Sequence, residues 1–363
     1  MIRSIASRRW LFTVSSLTFA AGLISCQPQV NNAPTGDAAI NETAPVRLTG
    51  AGASFPNPLY SRWFSTFNQQ NPNVQISYQS IGSGAGVKQY LAKTVDFGAT
   101  DAPLTQEERE QYRSRYNGTP VQVPMTGGAV VFAYNLGGNV ENLKLSREAY
   151  CGIVDGTVKS WNDPLITQEN PGVNLPNAPI TFVYRSDGSG TTFIFTKHID
   201  EACPNWQRGS GKSIAWLTGS GAKGNEGITA LVRQTPGAIG YVEYTYAREN
   251  NLNMASLENK SGQYIEPSPE AAARALEGQP IPQDFALQVP DPSAAQAYPI
   301  VGLTYLLLYD NYQDAEKAAA LRNFVNWALT NGDEAARELG YLPLTDEVAE
   351  RVQATVNQQL AVR

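Results

Sequence analysis

The chain has 363 residues, more than one ordinary hydrophobic core accommodates, so its length indicates two lobes. Apolar residues make up 42% of the chain, which is typical of a globular protein and argues against a disordered one. The formal net charge is −6, whereas a nucleic-acid-binding protein needs a basic face, so nucleic acid is excluded as a partner.

The N-terminus has the pattern of an export signal. Arg3, Arg8 and Arg9 precede a largely apolar run over residues 10–24, which is too short for a membrane span. Leu23-Ile24-Ser25-Cys26 resembles a bacterial lipobox, which predicts that a signal peptide of residues 1–25 is removed and that Cys26 carries a lipid. The mature charge would then be −9, because three arginines are lost. The paired arginines leave Sec and twin-arginine export both open.

Residues 26–45 are polar and rich in Asn, Ala, Pro and Thr, which predicts a flexible tether between the lipid and the folded part.

Cys151 and Cys203 are the two cysteines that remain in an exported chain, and an even number favours a disulfide over two separate buried thiols. The two cysteines and the single histidine, His198, do not have the spacing of a zinc site, so no metal is predicted.

Strands and helices alternate in the first part of the folded chain. The apolar patterns predict strands at residues 46–49, 74–78 and 95–99 and helices at residues 57–70, after the glycines of 82–86, and from 105 onward. Asn57-Pro58 has the composition of a capped helix start, and Thr105-Gln106-Glu107-Glu108 is a capping box. This alternation predicts an α/β lobe with ligand loops at the strand ends.

The second part continues with buried strands and amphipathic helices. Continuous apolar runs predict strands at residues 128–134, 180–184, 237–242 and 298–309, and helices are expected at 269–276 and around 321–331.

Three loops combine glycines with a hydroxyl side chain at the start of a predicted helix. They are residues 50–55, 82–86 and 185–191. Glycines let the backbone approach a ligand closely, and the free N–H groups of a helix start favour an anion. Arg185 adds a planar charged donor. The three loops therefore predict a site that closes around an oxyanion.

Motifs for nucleotide binding and catalysis are incomplete. Residues 209–213 end like a nucleotide-binding P-loop, but Trp206 stands where the motif needs glycine, so a turn is expected there. No nucleophile elbow occurs at Ser54, Ser83 or Ser189. The single histidine, His198, follows the apolar residues 193–195 and is interpreted as a packed or surface helix residue, which would serve a catalytic triad only by tertiary chance. The chain is therefore predicted not to be an enzyme.

Five segments resemble the phosphate-binding proteins of bacterial high-affinity phosphate ABC transporters, in the same order. These segments are residues 48–56, 81–84, 95–104, 185–191 and 236–244, and the likeness runs from about Val46 to the C-terminus. The resemblance implies a type II periplasmic-binding-protein fold, with two α/β lobes, two crossings between them and a ligand cleft. Lobe I is expected at residues 46–124 plus 299–363 and lobe II at 125–298.

The resemblance also implies which residues contact phosphate. The expected hydroxyl and backbone N–H donors are Ser54, Phe55, Ser83, Ser189, Gly190 and Thr191. Arg185 would bind phosphate oxygens as a charged donor, Asp187 would orient Arg185, and Asp101 would accept the proton of the phosphate. Ser54 and Gly84 depart from the family's frequent threonine and serine, which leaves the ligand class unchanged.

The implied function is that of an extracytoplasmic receptor, a monomer without a cofactor, that delivers inorganic phosphate to the permease subunits of an ABC importer. The protein would lie in the periplasm, held to a membrane by the lipid on Cys26. Asp101 argues against sulfate and molybdate, which carry no proton at neutral pH, but arsenate stays an alternative. Asp101 could instead cap the following turn. A phosphatase on the same fold is the remaining alternative, which the scarcity of histidine disfavours.

Overall fold

The structure is a computed structural model that describes residues 44–137 and 140–360. The expected signal peptide, Cys26 and nearly all of the tether lie outside these residues. Within the described part of the chain, no helix has the length and apolar character needed to cross a membrane.

Strands and helices alternate through most of the described chain. The strands are β1 (Val46–Gly52), β2 (Val74–Ser80), β3 (Phe97–Thr100), β4 (Val121–Tyr134), β5 (Lys144–Leu145), β6 (Thr181–Arg185), β7 (Ser220–Ala222), β8 (Ala238–Glu243), β9 (Asn253–Met254), β10 (Ser256–Glu258), β11 (Tyr264–Ile265) and β12 (Val301–Leu308). The helices are α1 (Asn57–Gln70), α2 (Ser83–Leu91), α3 (Gln106–Tyr116), α4 (Arg147–Asp155), α5 (Pro164–Thr167), α6 (Gly190–Ala202), α7 (Gly224–Gln234), α8 (Tyr244–Glu249), α9 (Pro269–Leu276), α10 (Ala315–Asn331), α11 (Asp333–Leu339) and α12 (Asp346–Gln359).

Most strands belong to one mixed sheet with the order β2-β1-β3-β12-β4-β8-β6-β7, in which β9 also pairs with β4. At one end β1 runs parallel to β2 and β3, and at the other end β6 runs parallel to β7 and β8. The central strands β12 and β4 are antiparallel to each other and to their outer neighbours. Strand, loop and helix thus alternate within each parallel group, which places the loops of the predicted site after strand ends.

β4 connects the two parallel groups and is longer than the predicted strand. It pairs with β12 from Val121 to Ala129 and with β8 from Val130 to Tyr134. The prediction from the apolar pattern omitted the first half of β4, because Pro124 lacks an N–H group and is unusual inside a strand. The register between β4 and β12 shifts beside this proline, and such an irregularity lets the strand continue.

α1 shows why the apolar spacing produces a helix at this place. Its buried side chains include Trp63, Phe64 and Phe67, and Phe64 and Phe67 pack against Phe324 of α10 with ring centroids 4.9 and 5.5 Å apart. The prediction that the Asn57 side chain caps this helix is wrong, because the helix already includes Asn57 and the preceding residue makes no side-chain capping bond.

The capping box of α3 is confirmed. The Thr105 side chain accepts from the Glu108 N–H, and the Glu108 side chain accepts from the Thr105 N–H.

A disulfide joins α4 to the end of α6. Cys151 and Cys203 are bonded, with Cα atoms 5.6 Å apart and 52 positions between them in the sequence. We expect reduction, or replacement of both cysteines by alanine, to lower the free energy of unfolding by about 2–4 kcal/mol, because the unfolded chain regains conformational freedom. Thermal unfolding with and without reductant measures this effect. An unchanged melting temperature would contradict the expectation, and the double alanine variant should not respond to reductant.

Candidate functional site

The loop between β1 and α1 places Ser54 and Phe55 in the interior. Both are almost fully buried, and the Ser54 Oγ accepts hydrogen bonds from the backbone N and the Nδ2 of Asn225, at 3.0 and 2.9 Å. The Phe55 carbonyl accepts a bond from the Tyr341 hydroxyl at 2.7 Å. Its N–H has no hydrogen-bond partner among the residues that the structure describes. A buried N–H of this kind is a donor available to a ligand.

Asp101 follows β3 and is buried among donors. Its Oδ1 accepts a hydrogen bond from the Thr304 hydroxyl at 2.8 Å, and its Oδ2 lies 3.4 Å from the Ser83 Oγ. Burial raises the pKa of Asp101 to about 7, although the Thr304 bond, the Arg185 charge and the Ser83 bond act in the opposite direction. Because Asp101 is held by its neighbours in the sheet and in α2, its carboxyl group has a defined orientation toward the loops described next.

Arg185 ends β6 and lies almost entirely inside the protein. Its Nε and Nη2 donate to the two carboxylate oxygens of Asp187 at 2.8 and 2.7 Å, and its Nη1 lies 3.4 Å from the Thr191 Oγ1. Burial alone would lower the pKa of Arg185, but the bonds and the negative charge of Asp187 raise it, so the guanidinium stays charged. Burial likewise works against ionisation of Asp187, and Arg185 reverses this and lowers its pKa.

The start of α6 presents backbone donors next to Arg185. The Ser189 side chain caps the helix by accepting from the Thr192 N–H at 3.0 Å. The N–H groups of Gly190 and Thr191, in the first turn, have no intrahelical acceptor, as in every α-helix. Such a helix start has a partial positive charge and favours an anion.

The loops of the two parallel strand groups touch. The Gly84 N–H donates to the Gly188 carbonyl at 2.8 Å, and a Cβ placed on Gly190 would lie 2.5 Å from the Asp101 Cβ. Gly82, at φ +88°, leaves no room for a side chain beside Asp187. Glycine is therefore required at 82 and 190, because any side chain would separate the two sets of loops. The nine residues of the expected site thus lie in one continuous cluster.

The sequence reasoning missed two residues of this cluster, Asn225 and Thr304. Asn225 is fully buried at the start of α7 and contacts Ser54, Thr191 and Glu243. Its signal was present, since Gly224-Asn225 begins an amphipathic helix, but the preceding strand β7 has only three residues and shows no clear apolar pattern. Thr304 gave no signal, because it lies inside a strand 203 positions from Asp101.

His198 is a packed residue of α6, which is one of the two positions that the sequence left open. Its Nδ1 donates to the Pro290 carbonyl at 2.8 Å, since a carbonyl can only accept, and its Nε2 accepts from the Tyr150 hydroxyl at 3.1 Å. Burial lowers the pKa of His198 to about 4, so it is neutral near pH 7. Residues 211–213 bend between α6 and β7, as expected for a turn and not for a nucleotide-binding loop, and the Lys212 carbonyl accepts from the Ser189 N–H at 2.7 Å. No group of three or more metal-ligating side chains occurs among the described residues.

Glu243, at the end of β8, is a second buried carboxyl group close to the cluster. Its oxygens accept from the Thr245 N–H and from the Tyr341 hydroxyl, at 3.0 and 3.2 Å. Burial raises the pKa of Glu243 to about 8 in spite of these bonds. The folded protein therefore keeps a proton that an unfolded chain releases above pH 4.5, the ordinary value.

We expect this proton to make stability depend on pH. The contribution of Glu243 is fully present below pH 4.5 and is lost as the pH rises toward 8, by at most about 1.4 kcal/mol per pH unit. Glu243→Gln does not titrate, so its free energy of unfolding should decline less between pH 5 and 8. Urea unfolding in phosphate-free buffer measures both curves, with the exposed Glu338→Gln as control. Parallel curves for wild type and Glu243→Gln would rule out this role.

Known proteins share both the sequence and the fold. A profile of the PBP superfamily domain matches residues 39–331. The phosphate-binding protein PstS of Pasteurella multocida (strain Pm70) is 42% identical over 314 residues, which cover 85% of this chain and 89% of the relative. The phosphate-binding protein PstS of Haemophilus influenzae is 39% identical over 318 residues, which cover 86% of this chain and 93% of the relative.

Two solved structures are similar in fold. The high affinity periplasmic phosphate-binding protein PfluDING, solved with phosphate bound, has a TM-score of 0.71 and 23% identity over 85% of this chain and 93% of its own. The phosphate-binding protein from Stenotrophomonas maltophilia has a TM-score of 0.69 and 24% identity over 86% and 94% of the two chains. The present chain therefore has the mixed α/β fold of periplasmic binding proteins. Together with the relatives above 30% identity, this means that the chain belongs to the PBP superfamily and, within it, to the family of PstS phosphate-binding proteins.

Proposed function

We propose that this chain is a receptor that binds inorganic phosphate and delivers it to a phosphate ABC importer. The observation that carries the proposal is the position of Asp101, a buried acceptor that lies against Gly190 within a cluster of hydrogen-bond donors. A receptor for a fully deprotonated anion has no use for this carboxylate. The relatives named above are phosphate-binding proteins, which supports the same ligand.

The proposed ligand contacts follow from the donors of the cluster. Ser54, Ser83, Ser189 and Thr191 offer hydroxyl groups, Phe55, Gly190 and Thr191 offer backbone N–H groups, and Arg185 offers a guanidinium. An anion leaves water only if each of its oxygens finds a donor, and a buried set of this size meets that requirement. Charge-assisted bonds contribute about 1.5–3 kcal/mol each, so several of them support micromolar or tighter binding.

Asp101 sets the proposed selectivity. Phosphate carries a proton at neutral pH, which it can donate to the carboxylate, whereas sulfate has none and would be repelled. Arsenate is the second candidate ligand, because it shares the shape and the proton of phosphate and Asp101 does not distinguish the two. The interpretation of Asp101 as a cap of the next turn fits less well, since its carboxylate bonds to Thr304 and Ser83.

Two lobes are proposed with the expected bounds, residues 46–124 plus 299–363 and residues 125–298. The bounds are supported by the sheet, in which β4 and β12 lie between the two parallel groups. Ser54, Phe55, Ser83 and Asp101 would then face the Arg185 loop across the cleft. Closure around phosphate by bending at the two crossings would signal a loaded receptor to the permease subunits.

Calorimetric titration of the purified, phosphate-free protein tests the proposed ligand. Phosphate should bind with micromolar or tighter affinity, and arsenate with an affinity of the same order. Sulfate and molybdate should bind far more weakly. Binding of sulfate without binding of phosphate would refute the proposal. Hydrolysis of a phosphate ester at an appreciable rate would favour the phosphatase alternative instead.

A lipid anchor at Cys26 is proposed to hold the protein at a membrane in the periplasm, as a monomer. The support is the sequence of residues 23–26, which resembles a lipobox. We expect Cys26→Ser to abolish incorporation of a radioactive fatty acid and to move the protein out of the membrane fraction, because the serine offers no thiol for the lipid. Cys151→Ser serves as the control and should keep the label. Label that persists in Cys26→Ser would place the lipid elsewhere.

A further inference from the structure

Asn225 makes three hydrogen bonds to residues of the cluster and one to the neighbouring Glu243, and it was not among the expected ligand residues. Its backbone N and its Nδ2 donate to the Ser54 Oγ at 3.0 and 2.9 Å, and Nδ2 also donates to the Thr191 Oγ1 at 3.1 Å. Its Oδ1 accepts from the Glu243 N–H at 3.0 Å. A backbone N–H can only donate, so the atom facing Glu243 is the amide oxygen and the other is the amide nitrogen.

The hydroxyl of Ser54 has its acceptor capacity filled by Asn225. A hydroxyl oxygen accepts two hydrogen bonds and donates one. Two N–H groups of Asn225 point at the Ser54 Oγ, and together they occupy both lone pairs. The remaining capacity of this hydroxyl is its single proton, which must find an acceptor elsewhere.

The hydroxyl of Thr191 is in the same condition. Its Oγ1 accepts from Asn225 Nδ2 at 3.1 Å and lies 3.4 Å from the Arg185 Nη1, which also only donates. Both lone pairs are thereby occupied, and the Thr191 proton is left to donate. The side-chain amide of Asn225 therefore supplies one of the two donors at each hydroxyl, on Ser54 after β1 and on Thr191 in α6, and so helps to fix the direction of both.

We propose that Asn225 is a positioning and specificity-determining residue, which holds the Ser54 and Thr191 hydroxyls as donors toward the bound anion. The inference rests on the proposed function, because it concerns the phosphate ligand. With both hydroxyls committed as donors, Asp101 accepts the one proton of the phosphate dianion. The phosphate monoanion carries a second proton, for which Ser54 and Thr191 offer no lone pair. Asn225 thus favours the dianion over the monoanion.

The test compares phosphate affinity across pH in wild type, Asn225→Leu and Asn225→Asp, by calorimetry with inorganic phosphate. Asn225→Leu keeps the backbone N–H but removes the amide, so affinity at pH 8 should fall at least tenfold. Its hydroxyls regain lone pairs and tolerate the monoanion, so affinity should fall less than in wild type between pH 8 and pH 5.5. Asn225→Asp has nearly the same shape but accepts where the amide donates. It should draw the two hydroxyl protons away from the ligand and weaken binding at pH 8 by a hundredfold or more.

The charged groups near Asn225 are the same in wild type and Asn225→Leu. They are Asp101, Arg185, Asp187, Lys223, Glu226 and Glu243, none of which is changed by the substitution. Asn170→Leu is the matched control, since Asn170 is also buried and its amide donates to the carbonyls of Lys144 and Ile166. It should lose stability but keep the affinity and the pH profile of wild type.

Each outcome separates the inference from the proposed function. If wild type does not bind phosphate, the proposed function is wrong. If wild type binds and folded Asn225→Asp binds within threefold of it, the inference is overturned. A loss of affinity in Asn225→Leu that is constant across pH would indicate a purely structural role and would also overturn it. Circular dichroism of each variant verifies folding, and Asn225→Asp keeps the test decisive if Asn225→Leu does not fold.

Discussion

Replacing Arg185 by alanine is expected to weaken phosphate binding a hundredfold or more. Of its five N–H groups, three are directed at Asp187 and Thr191, which leaves one on Nη1 and one on Nη2 for the ligand. Two charge-assisted bonds at about 1.5–3 kcal/mol each correspond to at least that factor. Titration calorimetry with inorganic phosphate at pH 8 measures the change, and Arg185→Lys should give an intermediate loss because it keeps the charge but not the planar fork.

The matched control is Arg147→Ala. Arg147 also pairs with a buried aspartate, Asp291, through its Nη2 atom, as Arg185 does with Asp187. It should lower the melting temperature without changing the affinity for phosphate. Arg185→Ala also leaves Asp187 without its partner, so its folding is verified by circular dichroism. Wild-type affinity in a folded Arg185→Ala protein would remove Arg185 from the proposed site.

Asp101→Asn should change selectivity more than any other single substitution. A site that bonds to one ligand proton can reject an analogue without that proton by about 10⁴–10⁵-fold. The asparagine amide no longer repels sulfate and can donate to it, so most of the preference for phosphate over sulfate should disappear. Competition of sulfate against phosphate, measured by calorimetry in wild type and variant, gives the two selectivity ratios.

Asp310→Asn is the control for this change. Asp310 accepts from the Tyr112 hydroxyl and the Thr119 N–H, and it has no contact with the loops of the cluster in the described structure. Its selectivity should equal that of wild type. Two results would show that Asp101 does not recognise the ligand proton. One is a wild-type protein that binds sulfate and phosphate equally well, and the other is an Asp101→Asn variant whose preference for phosphate over sulfate is unchanged.

Local patterns predicted most elements because local physics forms them. The capping box at Thr105 and the helix over Pro269–Leu276 were confirmed, since caps, proline in the first turn and apolar spacing act within a few residues. The extent of β4 was underestimated, because an antiparallel partner compensates for Pro124 and the sequence around a proline does not reveal such a partner.

The position of the cluster was predictable to a similar degree. Glycines followed by a hydroxyl precede or begin the helices α1, α2 and α6, and these loops do lie together in the structure. Contacts between distant residues were not predictable. Thr304 and Asp101 are 203 positions apart, and Asn225 and Ser54 are 171 apart, so their pairing depends on the order of strands in the sheet.

The amino-acid sequence by itself determined the α/β class, the three glycine-rich loops with Arg185, and the resemblance of five motifs, in the same order, to the family of phosphate-binding proteins. Each of these depends on residue type and short spacing, which a sequence carries in full. The tertiary structure decided which donors point at which acceptors: the bidentate contact of Arg185 with Asp187, the bond from Thr304 to Asp101, and the amide of Asn225 between Ser54 and Thr191. Hydrogen bonds depend on distance and direction at the scale of an ångström, and only the packed sheet and helices define those.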